Sequence, residues 1–274
     1  MGIFGRPNPL ELRCKDNVDG LIKLLKYKDP KIRKEAAREL SYTKSFNLKA
    51  VDALIETLES DPDMDARSGA ALTFSTRPHS KAINALVNCY PHQTWGFSAL
   101  GRCLQSVNPV SYKIEDETLN KIKLILDDLS NMSDYGSQSD RNEIIIGLKY
   151  LKDMRVAPIF ADRYINDDYL PVKGNALLGL TELGTAGLHF LLKLKFQELS
   201  NKEVGWGSYI KSLYENIISL TLNRGQRDEA VKLLKHYHEK YGLRELFKEI
   251  LGWCSSDKEK ALLKSLAREA NIKI

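Results

Sequence analysis

The sequence has no apolar run approaching the roughly 20 residues that a membrane-crossing helix needs. Its opening stretch, MGIFGRPNPLELRCKD, also lacks the apolar core of a signal peptide. A cytoplasmic protein without membrane contact is the expectation. Met1-Gly2 suits N-myristoylation, but Arg6 stands where that motif requires Ser or Thr. Cysteine is sparse: Cys14, Cys89, Cys103 and Cys254 include no C-x-x-C pair, which removes metal-knuckle and dithiol spacings and leaves buried free thiols as the expectation. Of five histidines, only His236 and His238 are close in sequence, and two residues apart on a helix they point to different faces. No metal or cofactor is expected. Two-residue alternation of polar and apolar residues is almost absent, so strands are not expected. The chain also lacks G-x-x-x-x-G-K-[ST], G-x-G-x-x-G after a strand, G-x-S-x-G and H-E-x-x-H, which disfavours most catalytic families. The acid pairs Asp127-Asp128 and Asp167-Asp168 fall near predicted helix ends, where caps or solvated turns account for them.

What the sequence does contain is a sentence written twice. VDGLIKLLKYKDPKIRKEAAREL starts at Val18 and VDALIETLESDPDMDARSGAALTF at Val51. Val18, Leu21, Ile22 and Leu25 recur as Val51, Leu54, Ile55 and Leu58. Asp29-Pro30 recurs as Asp61-Pro62, and Arg33, Ala36 and Ala37 recur as Arg67, Ala70 and Ala71. A period of about 33 residues holds two short helices and two turns, the size of one repeat of a helical solenoid. In the first helix the apolar residues fall at i, i+3, i+4 and i+7, a single stripe. Asp-Pro then supplies an N-cap and a proline whose missing N–H costs nothing in the first turn. The small apolar set of the second helix, Ala36 and Ala37 between Ile32 and Leu40, suits a helix pressed between neighbours.

Looser copies follow. Residues 82–87 with 95–104 make a third pair, and 117–130 with 140–152 a fourth, split by the polar loop NMSDYGSQS. Residues 156–184 make a fifth, in which Lys173 and Ala176 answer to Arg33 and Ala36, and 185–200 with 204–222 a sixth. Three more helices, near 226–241, 243–253 and 257–271, read as a terminal cap that shields the last core layer. The chain is thus expected to be all-α, one continuous array of about six helical pairs divided into N-terminal repeats (16–109), irregular and later repeats (110–223) and a cap (224–274). A globular helical bundle is the structural alternative.

Charge is unevenly spread. Residues 1–109 hold 16 basic and 12 acidic residues (net +4), 110–168 hold 8 and 12 (−4), 169–223 hold 5 and 4 (+1) and 224–274 hold 12 and 8 (+4). Basic ends around an acidic middle permit a polyanionic partner without demanding one.

The stretches IRKEAAREL (32–40), ARSGAALTF (66–74) and VKGNALLGLTELG (172–184) resemble the HEAT family, in particular the short phycobilisome-lyase-type repeats. The resemblance covers 18–87 and 155–184. It departs at Lys173, where Arg is usual, near Phe97, where the basic residue is missing, and in the lengthened fourth repeat. It implies a right-handed α-α superhelix and a ladder of ion pairs joining Arg33 and Arg67 to Asp29, Asp61 and Asp63, which sets the stacking register. One hydroxylase family uses a HEAT-like body with several His-Glu pairs as metal ligands; this chain has only His238-Glu239.

Second helices of such arrays line the concave surface. Lys31, Lys34, Arg38, Arg67, Arg102 and Lys173 would form a broken basic stripe there, with Trp95 at the start of a second helix as an aromatic anchor or as packing against the previous repeat. Trp206, between two glycines, reads as loop packing. The solvated helix face is the plain alternative, with part of the charge taken up by i,i+4 pairs such as Lys31 with Glu35. The functional expectation is a non-enzymatic scaffold holding a protein partner on its concave face. The alternatives are a nucleic-acid-binding protein built like the HEAT-like DNA glycosylases, or a bilin lyase subunit; the oligomeric state is not predicted.

Overall fold

A computed structural model describes residues 7–90, 97–132, 134–196 and 206–274. Among these residues every regular element is helical, as the sequence predicts. The chain divides into two compact units, with the boundary between Leu151 and Lys152.

The first unit opens with a helix that the repeat pattern does not predict, α1 (Pro9–Cys14). Asn8 caps it by accepting the Glu11 N–H, and Pro9 fills the first position. The pairs follow: α2 (Val18–Leu24) with α3 (Pro30–Leu40), α4 (Leu48–Ser60) with α5 (Met64–Thr76), α6 (Ala82–Asn88) with α7 (Phe97–Gln105), and α8 (Asp116–Ser130) with α9 (Tyr135–Tyr150). Each start has a local cause. The side chains of Asn17, Asp29, Asn47, Asp63 and Asp134 accept N–H groups in the first turns of α2, α3, α4, α5 and α9. The N-cap of α5 is thus Asp63, not the Asp61 of the repeated Asp-Pro. In the fourth pair the expected loop is mostly helix. Asp134 caps the backbone N–H of Ser137 at 2.9 Å, so the Tyr-Gly-Ser-Gln-Ser stretch, which reads as loop by composition, is drawn into α9.

The pairs stack in two layers. First helices pack on first helices, α2 on α4, α4 on α6 and α6 on α8; second helices pack on second helices, α3 on α5, α5 on α7 and α7 on α9. The second layer is the tighter one, because small residues stand at its crossings. Ala36, Ala37, Ala70 and Ala71 are buried in it. A Cβ added at Gly101 of α7 would lie 2.4 Å from the Glu143 carbonyl of α9, and one at Gly147 would lie 2.5 Å from the Gly101 oxygen. These two helices therefore touch backbone to backbone. The hydroxyl of Thr73 donates across the layer to the Ala37 carbonyl at 2.8 Å.

The second unit begins with a 3-10 turn, Met154–Val156, and contains α10 (Ala157–Asn166) against α11 (Leu170–Glu182), then α12 (Gly184–Phe196) and α13 (Trp206–Leu222). Helices α14 (Arg224–Tyr241), α15 (Arg244–Leu251) and α16 (Asp257–Glu269) complete it, with α14, α15 and α16 all packed on α13. Ser256 opens α16 with a capping box in which Glu259 returns the bond. His238 accepts the Leu243 N–H at 2.9 Å, closing the end of α14. Among the described residues no helix is long and apolar enough to cross a membrane.

The cysteines differ from expectation. Only Cys103 is buried; Cys14 is exposed, and Cys89 and Cys254 are half-buried. Cys14 ends α1, the short helix outside the repeats, and so escapes the core. Burial pushes the Cys103 thiol up to about 12.

Candidate interaction surface

The basic residue that stands one turn into α3, α5 and α11 has a definite task. Arg33 donates from Nη1 to the Tyr27 carbonyl at 2.9 Å, and Arg67 donates from Nη1 to the Asp61 carbonyl at 2.7 Å. Asp61 is the C-cap of α4, where the last carbonyls have no partner within the helix, and Tyr27 lies in the turn three residues past the end of α2. A cation placed there also meets the negative end of the helix dipole. The side chain is a clasp that folds the pair shut. Lys173 does the same for α10 and α11, donating to the Ile165 carbonyl at 3.2 Å.

Two further clasps escape the sequence reading. Arg141, fully buried, donates from Nη1 to the Leu129 carbonyl at 2.8 Å and closes α8 onto α9. Arg227 donates from Nη1 to the Thr221 carbonyl at 3.0 Å and closes α13 onto α14. The signal for Arg227 is its spacing: it lies six residues from its acceptor, as Arg33 and Arg67 do from theirs. Arg141 is hidden by the longer connection.

The expected ladder of ion pairs exists in a narrower form. Arg33 binds Asp61 with two parallel bonds of 2.7 Å each, Nε to Oδ2 and Nη2 to Oδ1, joining the first repeat to the second. Burial pushes the Asp61 carboxyl upward. The Arg33 hydrogen bonds, the Asp63 N–H and the Arg33 and Arg67 charges outweigh it and hold the group below the ordinary aspartate range. Asp29 and Asp63 act as N-caps, accepting the Lys31 N–H at 2.9 Å and the Ala66 N–H at 3.0 Å. Arg33 and Asp61 also line an open cleft of about 380 Å³ with Lys26 and Glu56, which pair with each other at 2.9 Å.

Of the predicted stripe, then, Arg67 and Lys173 are committed to backbone carbonyls, and Lys173 belongs to the second unit. Lys34 reaches Asp65 of the next second helix at 3.3 Å. The expected Lys31–Glu35 pair does not form among the described residues, and Lys31 is exposed. Arg38 and Arg102 are likewise exposed and make no ion pair among the described residues. Trp95 lies outside the described residues. Its neighbour Phe97 is buried and packs edge-on against Tyr90, with ring centroids 5.8 Å apart, so it is core.

The burial pattern reveals an order that the sequence alone conceals. In α5 the buried positions 69, 70, 71, 73 and 74 flank an exposed Leu72; in α7 the buried positions 99, 100, 101, 103 and 104 flank Arg102 in the same way. In α3 the equivalent residue, next after Ala36-Ala37, is Arg38, and in α9 it is the half-buried Ile146, between buried 144, 145, 147 and 148. One register position of four successive second helices therefore reads Arg, Leu, Arg, Ile. Leu72 is 45% exposed, and Met64 at the start of the same helix is 54% exposed.

Among the described residues no group of three or more His, Cys, Asp or Glu is arranged to hold a metal ion. A family model for HEAT repeats matches residues 11–97. No curated protein matches the chain. Among solved structures, a chain of the complex of CpcE and CpcF of phycocyanin lyase from Nostoc sp. PCC7120 is similar at 16% identity over 97% of each chain, with a TM-score of 0.47. An engineered protein is similar at 17% identity over 93% of this chain and 96% of its own, with a TM-score of 0.34. Likeness at that level transfers no property to this chain. The matched segment, residues 11–97, contains the clasped pairs α2–α3 and α4–α5.

Proposed function

We propose that the protein is a non-enzymatic interaction module that holds a protein partner on the second-helix face of its first unit. The observation that supports this reading is the exposed register of Arg38, Leu72 and Arg102, where apolar and cationic side chains alternate in the open on a rigid support. A solvated helix face needs no exposed leucine between two arginines that have no ion pair among the described residues. Lys31 and Lys34 would add charge beside Arg38, whereas Arg67 and Lys173 would act on the partner only by holding their helices in place. A stacked array suits this task, since each repeat adds surface without rebuilding the core.

The test is affinity capture from a lysate with and without nuclease, comparing the wild type with the doubly reversed Arg38→Glu/Arg102→Glu protein. Proteins retained after nuclease and lost in the double variant are the expected result. An unchanged set of captured proteins moves the interface elsewhere. Loss of all capture on nuclease treatment makes nucleic acid the ligand.

A further inference from the structure

From the alternation along the register we infer that the partner segment is an extended acidic peptide, carrying an acidic and an apolar side chain in turn at intervals of about three residues. The inference rests on the docking face just proposed and names what that face would read.

Successive packed helices stand about 8–10 Å apart. An extended chain in the polyproline II conformation advances about 3.1 Å per residue and brings every third side chain back to the same face. A segment of this kind crossing α3, α5, α7 and α9 therefore meets one rung about every third residue, with each of those side chains on the side of the protein. Arg38 and Arg102 would each take a carboxylate, in the bidentate geometry that guanidinium favours. Leu72 and the half-buried Ile146 would each cover an aliphatic side chain. A helical segment fits less well. At 1.5 Å per residue it needs about six residues between rungs, and it turns its side chains away from the face in between. Charge complementarity sets the sign: Lys34 and Asp65 pair with each other, which leaves Lys31, Arg38 and Arg102 to meet the segment against the exposed Glu35.

The probe is the fluorescein-labelled peptide Glu-Ser-Thr-Leu-Ser-Thr-Glu-Ser-Thr-Leu, used with its reverse sequence to cover both chain directions and with a scrambled peptide of the same composition. Binding is read by fluorescence anisotropy on the full chain. One direction of the periodic peptide is expected to bind at least about tenfold more tightly than the scrambled one. Arg38→Glu/Arg102→Glu is expected to lose that binding while keeping the wild-type melting temperature, because both residues are exposed. A Lys-for-Glu version of the peptide is expected to bind the double variant and not the wild type.

Equal binding of periodic and scrambled peptides overturns the inference, as does failure of the charge-swapped pair to recover binding. Tighter binding of a labelled 12-residue oligo-dT, with a steep fall as salt rises, overturns it in favour of nucleic acid. If the double variant loses its captured partners but no periodic peptide binds the wild type, the spacing is wrong and the docking face stands. If neither partner capture nor peptide binding responds to the double variant, both fall.

Discussion

The first repeats and the end of the second unit use the same device in different surroundings. Arg33 closes α2 onto α3 and grips Asp61; Arg227 closes α13 onto α14 and grips Glu269 with bonds of 3.1 and 2.7 Å. In the first case both partners are sealed, with side chains 11% and 6% exposed. In the second they are 20% and 43% exposed. The geometry is shared and the energetic content is not. A buried guanidinium and carboxylate depend wholly on each other, while a pair at the surface can fall back on water. The recurring arginine is therefore a way of folding a helical pair, and its weight in stability is decided by what the next element covers.

The comparison can be broken outright by Ala37→Arg. This position is fully buried between second helices, and a long cation there must both overpack and desolvate. The expected cost is about 4 kcal/mol or more, read as loss of the first unit's cooperative transition in chemical denaturation. A wild-type-like curve would mean that the second helices are not stacked as described.

Arg33→Ala is next, at about 3–5 kcal/mol, because it leaves Asp61 buried without its counter-charge. Arg227→Ala should cost only about 1–2 kcal/mol, since Glu269 is already partly solvated. Equal losses in the two variants would erase the distinction drawn between the sealed and open clasps. The acid dependence has one sign for both. Asp61 is held below its ordinary range, and the Glu269 carboxyl is lowered by its hydrogen bond from Arg227, so each pair contributes stability above the unfolded-state value and loses it as pH falls through the lowered one. The gap between wild type and Arg33→Ala should therefore close only in strong acid.

The smallest effect runs the other way. Asp140 of α9 has its carboxyl raised to about 6, by burial first; the Ser98 N–H opposes this, and the Asp134 and Glu143 charges add to it. A raised carboxyl stabilises the fold fully below its unfolded value and loses that contribution as pH rises through about 6. Asp140→Asn should match the wild type near pH 4 and exceed it by about 1 kcal/mol at pH 8, a figure reduced for partial solvent screening. Thermal melts at the two pH values test this; a constant difference across the range would show that Asp140 does not titrate in it.

How much of this was legible depends on the local words. Asp-Pro followed by Arg-x-x-Ala-Ala is explicit at Asp29 to Ala37, so the cap, the clasp and the small crossing can all be read there, and Lys173 with Ala176 is a recognisable variant. Arg141 and Arg227 follow Asp134 and Asn223, caps with no proline after them, and neither helix repeats the double alanine. Their clasps become visible only when the carbonyl that each one reaches is known. The same holds for the interaction register. Lys31, Lys34, Arg38 and Arg102 were found by charge, which cannot distinguish a solvated arginine from one spent on a carbonyl, as Arg67 is. Leu72 was invisible for the opposite reason: an apolar residue in a helix reads as core until the packing shows which side it faces. Helix α1 has its signal in Asn8-Pro9, but it lies outside the repeated pattern that begins at Val18.

The backbone contact between α7 and α9 also determines how the gene can vary. Every missense change in a glycine codon brings in a side chain with a Cβ, and at Gly101 or Gly147 that atom would land against main chain that cannot rotate away. Neither codon has a harmless neighbour, whereas Gly174, with nothing within 4 Å of the same atom, has many. A saturation library should show two nearly empty columns at positions 101 and 147 and a well-populated one at 174, giving an independent map of where helices meet.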